Sequence, residues 1–261
     1  MFLDDFCTIT DDRVRIAARD ASRFAKEVAG DFNPIHDPGS RRFCVPGDLL
    51  FALVVCRYGL SRHMAFRFRG MVGEGVTLCL PPTPGERFSL TDEQDRVCLE
   101  VERDGPTTCD MTVIEPFVRS YVAFSGRNFP HILQPLLAGH GVMFNPDRPL
   151  VMYDSMAFTL EDFVDGDPVA ELADARLDVA AKRADALLDF AILVGGANVG
   201  HGSKKLVISG LKPYDDERMK RIMADYEARR AEYLASAQAG PAADTGSVAA
   251  PPATGEHRGR Q

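Results

Sequence analysis

The chain has 261 residues, 45% of them hydrophobic and 26% charged, which is enough apolar material to bury a core in one large or two small domains. Lys and Arg total 30 against 38 acids, and the net charge of −8 has the wrong sign for tracking a phosphate backbone, so general DNA or RNA binding is excluded. The longest apolar run, Leu49 to Cys56, falls far short of the roughly 18 residues that a membrane-spanning helix needs.

Asp4 and Asp5 stand where a secretory leader would be basic and then apolar, so neither export nor a membrane anchor is expected. The cysteines (Cys7, Cys44, Cys56, Cys79, Cys98 and Cys109) form no Cys-x-x-Cys pair, and several fall inside apolar stretches. They read as buried, reduced thiols of a cytoplasmic protein.

Val14 to Ala18 predicts a strand, and Asp20 an N-cap for a helix with Ala21, Phe24, Ala25 and Val28 on one face, ending at Gly30. After an irregular segment, Pro46 to Arg57 reads as a helix apolar on every side, which must be enclosed. Strands follow at Phe66–Arg69, Val76–Leu80, Val97–Val101 and Thr112–Ile114, with Asp104-Gly105 as a hairpin turn between the last two.

The same order then returns. Tyr121–Phe124 reads as a strand and Pro130–Ala138 as a helix interrupted at Pro135. Leu150–Phe158, Ala170–Val179, Ala184–Val194 and Lys205–Leu211 read as strands, the last two joined by Gly195-Gly196-Ala197-Asn198. A buried helix followed by a meander is what a curved sheet around one helix produces, and neither half could close its sheet edges alone. We therefore expect an α+β tandem repeat, residues 1–117 and 118–213, with the two sheets joined edge to edge. An amphipathic helix over 214–238 follows, with Met219, Ile222, Met223, Tyr226 and Tyr233 on one face, and then a Pro/Gly/Ala-rich tail, 239–261, expected to be disordered.

The chemistry-bearing segment is Gly30-Asp31-Phe32-Asn33-Pro34-Ile35-His36. A carboxylate and an imidazole on irregular backbone can point at one spot, as an acid/base pair must. Pro34 holds Asn33 extended, Asn33 can bond nearby backbone groups, and the backbone N–H groups of Gly47 and Asp48, at the positive end of the enclosed helix, could bind an oxyanion. Spacing alone favours the plainer reading, in which Asp31 caps a turn and His36 is a partly buried polar residue.

The run Gly-Asp-Phe-Asn-Pro-Ile-His resembles the hydration motif of the MaoC-like, (R)-specific enoyl-CoA hydratases. Their fold is the hot dog, a curved antiparallel sheet around a long helix, and in that family the motif lies just before the central helix. The resemblance implies a tandem, or double, hot dog in which Asp31 and His36 orient and deprotonate a water that adds to a 2-enoyl thioester. It also implies that Asn33 and Pro34 shape the loop and that a backbone N–H near Gly47 holds the thioester oxygen. Where those hydratases commonly have His-Gly-Met, this chain has Pro46-Gly47-Asp48. Some hot dog thioesterases carry their catalytic carboxylate at that helix start, so Asp48 opens a competing mechanism of thioester hydrolysis. Otherwise it is a favourable first-turn acid. The whole-chain pattern, including Phe124-Ser125-Gly126-Arg127-Asn128-Phe129-Pro130-His131, is also similar to an uncharacterised bacterial family of double hot dog proteins.

Other candidates are weaker. Gly195 to Lys205 fits neither dinucleotide nor Walker spacing and reads as a hairpin, though its lysines could meet the phosphates of coenzyme A. His63, His131 and His140 have no ligand-spaced partners, so no metal is expected, and Ser125, Ser155 and Ser209 lie outside any nucleophile elbow. Arg41, Arg42, Arg57 and Arg62 near the motif could draw in an anionic carrier or be plain surface charge. Three functions remain: an enoyl-thioester hydratase, a non-catalytic acyl-thioester or partner-binding module, and a thioesterase using Asp48. Each implies an acyl thioester on coenzyme A or acyl carrier protein, no cofactor, and a monomer or homodimer with one site per chain.

Overall fold

The computed structural model describes residues 2–146 and 150–238, so the tail expected to be disordered from 239 onward lies outside the described residues. After a 3₁₀ turn at Phe2–Asp5, β1 (Thr8–Thr10) and β2 (Arg13–Arg15) pair as a small hairpin. Helix α1 (Ala18–Arg23) runs into a π-helical stretch, Phe24–Ala29, which stops at Gly30, whose φ of 67° lies in the left-handed region. Ala17, not Asp20, holds the N-cap. Asp20 lies in the first turn, where its charge complements the helix dipole. A 3₁₀ turn, Pro34–His36, leads on to α2 (Gly47–Tyr58), buried continuously from Asp48 to Cys56.

Strands β3 (Leu60–Phe68), β4 (Thr77–Cys79), β5 (Arg87–Asp92) and β6 (Val97–Thr108) complete the first half. The second half begins with α3 (Met111–Gly126), a π-helical turn at Asn128–Ile132, and α4 (Leu133–Gly139). It continues with β7 (Val142–Met143), β8 (Leu150–Leu160), β9 (Pro168–Ala180), β10 (Arg183–Val194), β11 (Ala197–Ser209) and β12 (Lys212–Pro213), and α5 (Asp216–Gln238) closes it.

Among the described residues, ten strands form one antiparallel sheet in the order β1-β2-β4-β5-β6-β3-β8-β11-β10-β9. The succession β4-β5-β6-β3 is mirrored by β9-β10-β11-β8, and the two runs meet where β3 pairs with β8, with Ala65 opposite Ala157. Helix α2 precedes β3 as α4 precedes β8. This is an α+β double hot dog, and the shared β3–β8 ladder removes the open edge that either half would otherwise present. One core cluster surrounds α2 and joins it to α3 through Phe51, whose ring lies 4.8 Å from that of Tyr121. A second gathers α4, the inner face of β10 and β11, and Met219 and Tyr226 of α5.

Several local expectations are corrected. Strand β5 was not anticipated. Asp104-Gly105 is no hairpin: it lies within β6, where Gly105 and Pro106 stand opposite the single residue Arg62, and this bulge uses the positive φ of Gly105, 79°. Thr112–Ile114 and Tyr121–Phe124 are helical. Ile114, Phe117, Val118, Tyr121, Val122 and Ser125 form one buried stripe of α3, capped by Asp110, whose Oδ1 accepts the Thr112 N–H at 2.8 Å. The interior Pro116 disguised that stripe, and the expected boundary at 117/118 falls inside the helix. Pro135 sits in the first turn of α4, where no backbone donor is needed, so it does not interrupt the helix, which passes from the π turn into α4 through Ile132 in helical conformation.

The cysteines are free thiols, with Cys56 and Cys98 buried but Cys109 exposed. Among the described residues, no helix is long and apolar enough to cross a membrane.

Candidate active site

The motif loop is held from both sides. Phe32 is 3% exposed and belongs to the core cluster of the second half, where its ring meets Tyr226 and Tyr233 edge-on at 6.1 and 5.9 Å. The Tyr226 hydroxyl accepts the Phe32 N–H at 3.3 Å and donates to the Gly30 carbonyl at 3.4 Å. Within the loop, Asp31 Oδ1 accepts the Asn33 N–H at 2.8 Å, and Asn33 Oδ1 accepts the Ile35 N–H at 3.2 Å. Pro34 then starts the 3₁₀ turn that carries His36.

These bonds leave Asp31 Oδ2 facing His36 Nε2 at 3.5 Å. The other ring nitrogen, His36 Nδ1, lies 2.7 Å from the Cys44 carbonyl oxygen. A carbonyl only accepts, so Nδ1 carries a proton, and the neutral ring presents a bare Nε2. Burial alone would depress the pKa of this imidazole. The hydrogen bond and charge of Asp31, the Cys44 carbonyl and the more distant Asp48 outweigh burial and hold it above its ordinary value.

The pair opens on a cavity of about 230 Å³ lined by both halves of the chain. The first turn of α2 lines it too, and there the amides of Gly47 and Asp48 have no intrahelical acceptor. Glycine is required at 47, because a Cβ would lie 2.8 Å from Tyr153 Cδ1 and 3.0 Å from Phe68 Cε1. Those two rings stack at 4.4 Å beside the helix start.

Asp48 is buried, and its two carboxylate oxygens lie 2.7 and 2.6 Å from Ser125 Oγ, which donates to them. Lys204 Nζ donates to the same hydroxyl in a short bond and sits 4.0 Å from the ring centroid of Tyr153, whose hydroxyl is hydrogen-bonded to that of Tyr121. Burial raises the carboxyl pKa of Asp48 against the opposing pull of Lys204 and Ser125, and burial lowers that of Lys204 against the pull of Asp48 and Asp31. Burial also pushes both tyrosines well above their ordinary value, so they are neutral phenols.

The structure thus gathers Asp31, Asn33, His36, Gly47 and Asp48 at one cavity, with Pro34 in the turn beneath. Ser125 and Lys204 were missed by sequence reading. The glycine-rich run puts Lys204 in a hairpin, yet it lies on the inner face of β11 with Leu206 and Ile208, and a lysine at that period-two position is a readable sign of a buried charge. Neither lysine is set for a phosphate: Lys204 is 3% exposed, and Lys205 pairs with Asp185 at 2.8 Å. Arg57 binds Asp12 at the far end of α2, and Arg62 donates to the Leu160 carbonyl, so neither lines the cavity.

A family model described as "Protein of unknown function (DUF3581)" matches residues 1–217. No curated protein matches the sequence. Among solved structures, a conserved protein of unknown function with the hot dog fold from Alicyclobacillus acidocaldarius aligns at 10% identity over 82% of this chain and 99% of its own, with a TM-score of 0.44. An acyl-CoA thioesterase II from Mycobacterium marinum aligns at 9% identity over 82% of this chain and 100% of its own, with a TM-score of 0.39. Both are likenesses of chain path at low identity.

Proposed function

The chain belongs to the family described as "Protein of unknown function (DUF3581)", and we propose that it acts on acyl thioesters, adding water across the double bond of a 2-enoyl thioester. One observation carries this reading: Asp31 Oδ2 and His36 Nε2 face each other at 3.5 Å on the cavity, with the tautomer of His36 fixed by the Cys44 carbonyl. Two such atoms can both lie within about 2.8 Å of one water oxygen. Neutral Nε2 takes a proton from that water while Asp31 orients it, and the resulting hydroxide bonds to the β-carbon. The π electrons move toward the thioester oxygen, and the proton on Nε2 passes to the α-carbon, so the balance is substrate plus water.

Negative charge developing on the thioester oxygen is met by the amides of Gly47 and Asp48 at the positive end of α2. An unpaired Asp48 carboxylate would oppose that charge. Its link through Ser125 to the Lys204 ammonium offsets it, which gives the buried network a role in the site.

Hydrolysis of the thioester is the second reading, favoured by the presence of the Asp48 carboxylate in the same cavity. Against it, both Asp48 oxygens are held by Ser125, whereas the Asp31–His36 pair is already set for water. A panel of 2-enoyl-CoA thioesters separates the readings. Hydration removes the conjugated-enoyl absorbance and releases no thiol. Thiol release that stops in Asp48→Asn would replace hydration with hydrolysis, and tight binding with neither signal would leave a non-catalytic module.

A further inference from the structure

Asn128 opens the second π-helical turn, lines the same cavity and is 2% exposed. Among the described residues, neither its Oδ1 nor its Nδ2 finds a hydrogen-bond partner. Burying an unpaired carboxamide opposes folding, so a site that keeps one needs another reason for it. Its position is fixed by close packing just upstream. A Cβ on Gly126 would collide with the carbonyl oxygen of Ala29, so only glycine lets the end of α3 press against the stretch that leads into Gly30 and Asp31. Asn128 and the Asp31–His36 pair therefore hang from one packed junction and open on one cavity.

A buried carboxamide with both ends unpaired asks for a ligand group that donates and accepts at once. A thioester carbonyl only accepts. A secondary amide does both, and the carrier arm of a coenzyme A or acyl-carrier-protein thioester has one, two carbons from sulfur. That short link keeps the amide in the cavity that holds the thioester, and Asn128, Asp31 and His36 all line that cavity. Resting on the acyl-thioester reading above, we infer that Asn128 is a specificity-determining residue that recognises this carrier-arm amide.

The test is binding of unreactive S-butyl thioethers, which needs no turnover. One is built on N-acetylcysteamine, and its counterpart on O-acetyl-mercaptoethanol, where an ester oxygen replaces the amide N–H. The wild-type protein should bind the amide compound at least about tenfold more tightly, the scale of one lost hydrogen bond to a buried group. Asn128→Leu, close in volume, should bind both compounds equally and melt no lower than wild type, because it removes an unpaired buried polar group. Asn128→Asp, which keeps an acceptor for the amide N–H but loses the donor, should fall between them and serves if the leucine variant does not fold. S-butyl coenzyme A and the same thioether on acyl carrier protein distinguish the source of the arm, and Asn128→Leu should weaken whichever binds by about tenfold. Binding without amide preference in the wild type, or a preference that survives Asn128→Leu, overturns the role of Asn128 and leaves the proposed reaction standing. No binding of any of the four compounds overturns both.

Discussion

The Tyr226 hydroxyl accepts the backbone N–H of Phe32 at 3.3 Å, so a residue of the last helix holds the middle of the motif loop. The same hydroxyl reaches the Gly30 carbonyl, and the Tyr226 ring supports Phe32 edge-on. Asp31 lies between the two tethered residues, so its direction depends on α5, an element outside both sheet halves.

Tyr226→Phe keeps the ring and removes the tether. The loss of about 1 kcal/mol expected for a hydrogen bond should lower the melting temperature by roughly 2–4 °C in a chain of this size. Turnover should fall further than stability does, because the freed loop no longer aims Asp31. A lower melting temperature with unchanged turnover would mean that burial of Phe32 alone positions the carboxylate.

The raised pKa of His36 sets the direction of the pH dependence. Nε2 must be unprotonated to take a proton from water, so kcat/KM for hydration should rise with pH through an apparent pKa above 6.5. For stability the sign is opposite. A folded pKa above the unfolded one contributes stability that is present below about pH 6.5 and lost as pH rises through the folded value. The melting temperature of wild type relative to His36→Gln should therefore be higher near pH 6 than near pH 8. An equal difference at both would remove the Asp31–His36 ion pair from the account.

Lys204→Met should be among the most damaging single changes, because it leaves the Asp48 carboxylate buried beside Ser125 without its cation. Breaking a buried charge pair costs about 3–5 kcal/mol, and adding Asp48→Asn should restore much of that loss. Equal melting temperatures for the single and double variants would show that Asp48 carries no charge once Lys204 is gone, so that no buried charge is left uncompensated.

Much of the architecture is legible in the sequence because burial writes it there. Leu49 to Cys56 is apolar on every side, and α2 is the enclosed helix of the first half. Gly30 stops its helix through a positive φ, and Gly195-Gly196 turns the hairpin between β10 and β11 with φ of 58° and 82°. Helix α3 is hidden because Pro116, a residue that helix interiors avoid, lies beside its stripe, and the β6 bulge because Asp-Gly serves bulges as well as turns. The Asp31–His36 pair could be read because its parts share one short run. Ser125 and Asn128 could not, since they reach the cavity from α3 and a π turn, and for Lys204 the period-two pattern of β11 shows only a buried charge, while the tertiary fold alone brings it to the cavity.

Gly126→Ala tests the junction beneath the site. The added methyl would strike backbone at Ala29, which cannot give way as a flexible side chain would, so loss of stability and of turnover should go together. Gly139→Ala, where a Cβ meets nothing within 4 Å, should change neither beyond small effects. Tolerance of both changes would contradict the tight packing of α3 against the π-helical stretch.

The most direct measurement is the hydration rate of Asp31→Asn, His36→Gln and the double variant on a 2-enoyl-CoA thioester, with melting temperatures alongside. If the two side chains share one water, each single change should lower the rate by roughly 10²–10⁴, and the double variant should cost little more than either alone. Both replacements are nearly isosteric, so each variant should stay folded and keep its affinity for acyl thioester. Hydration that persists at the wild-type rate in both single variants would contradict the account and make Asp31 and His36 parts of the scaffold.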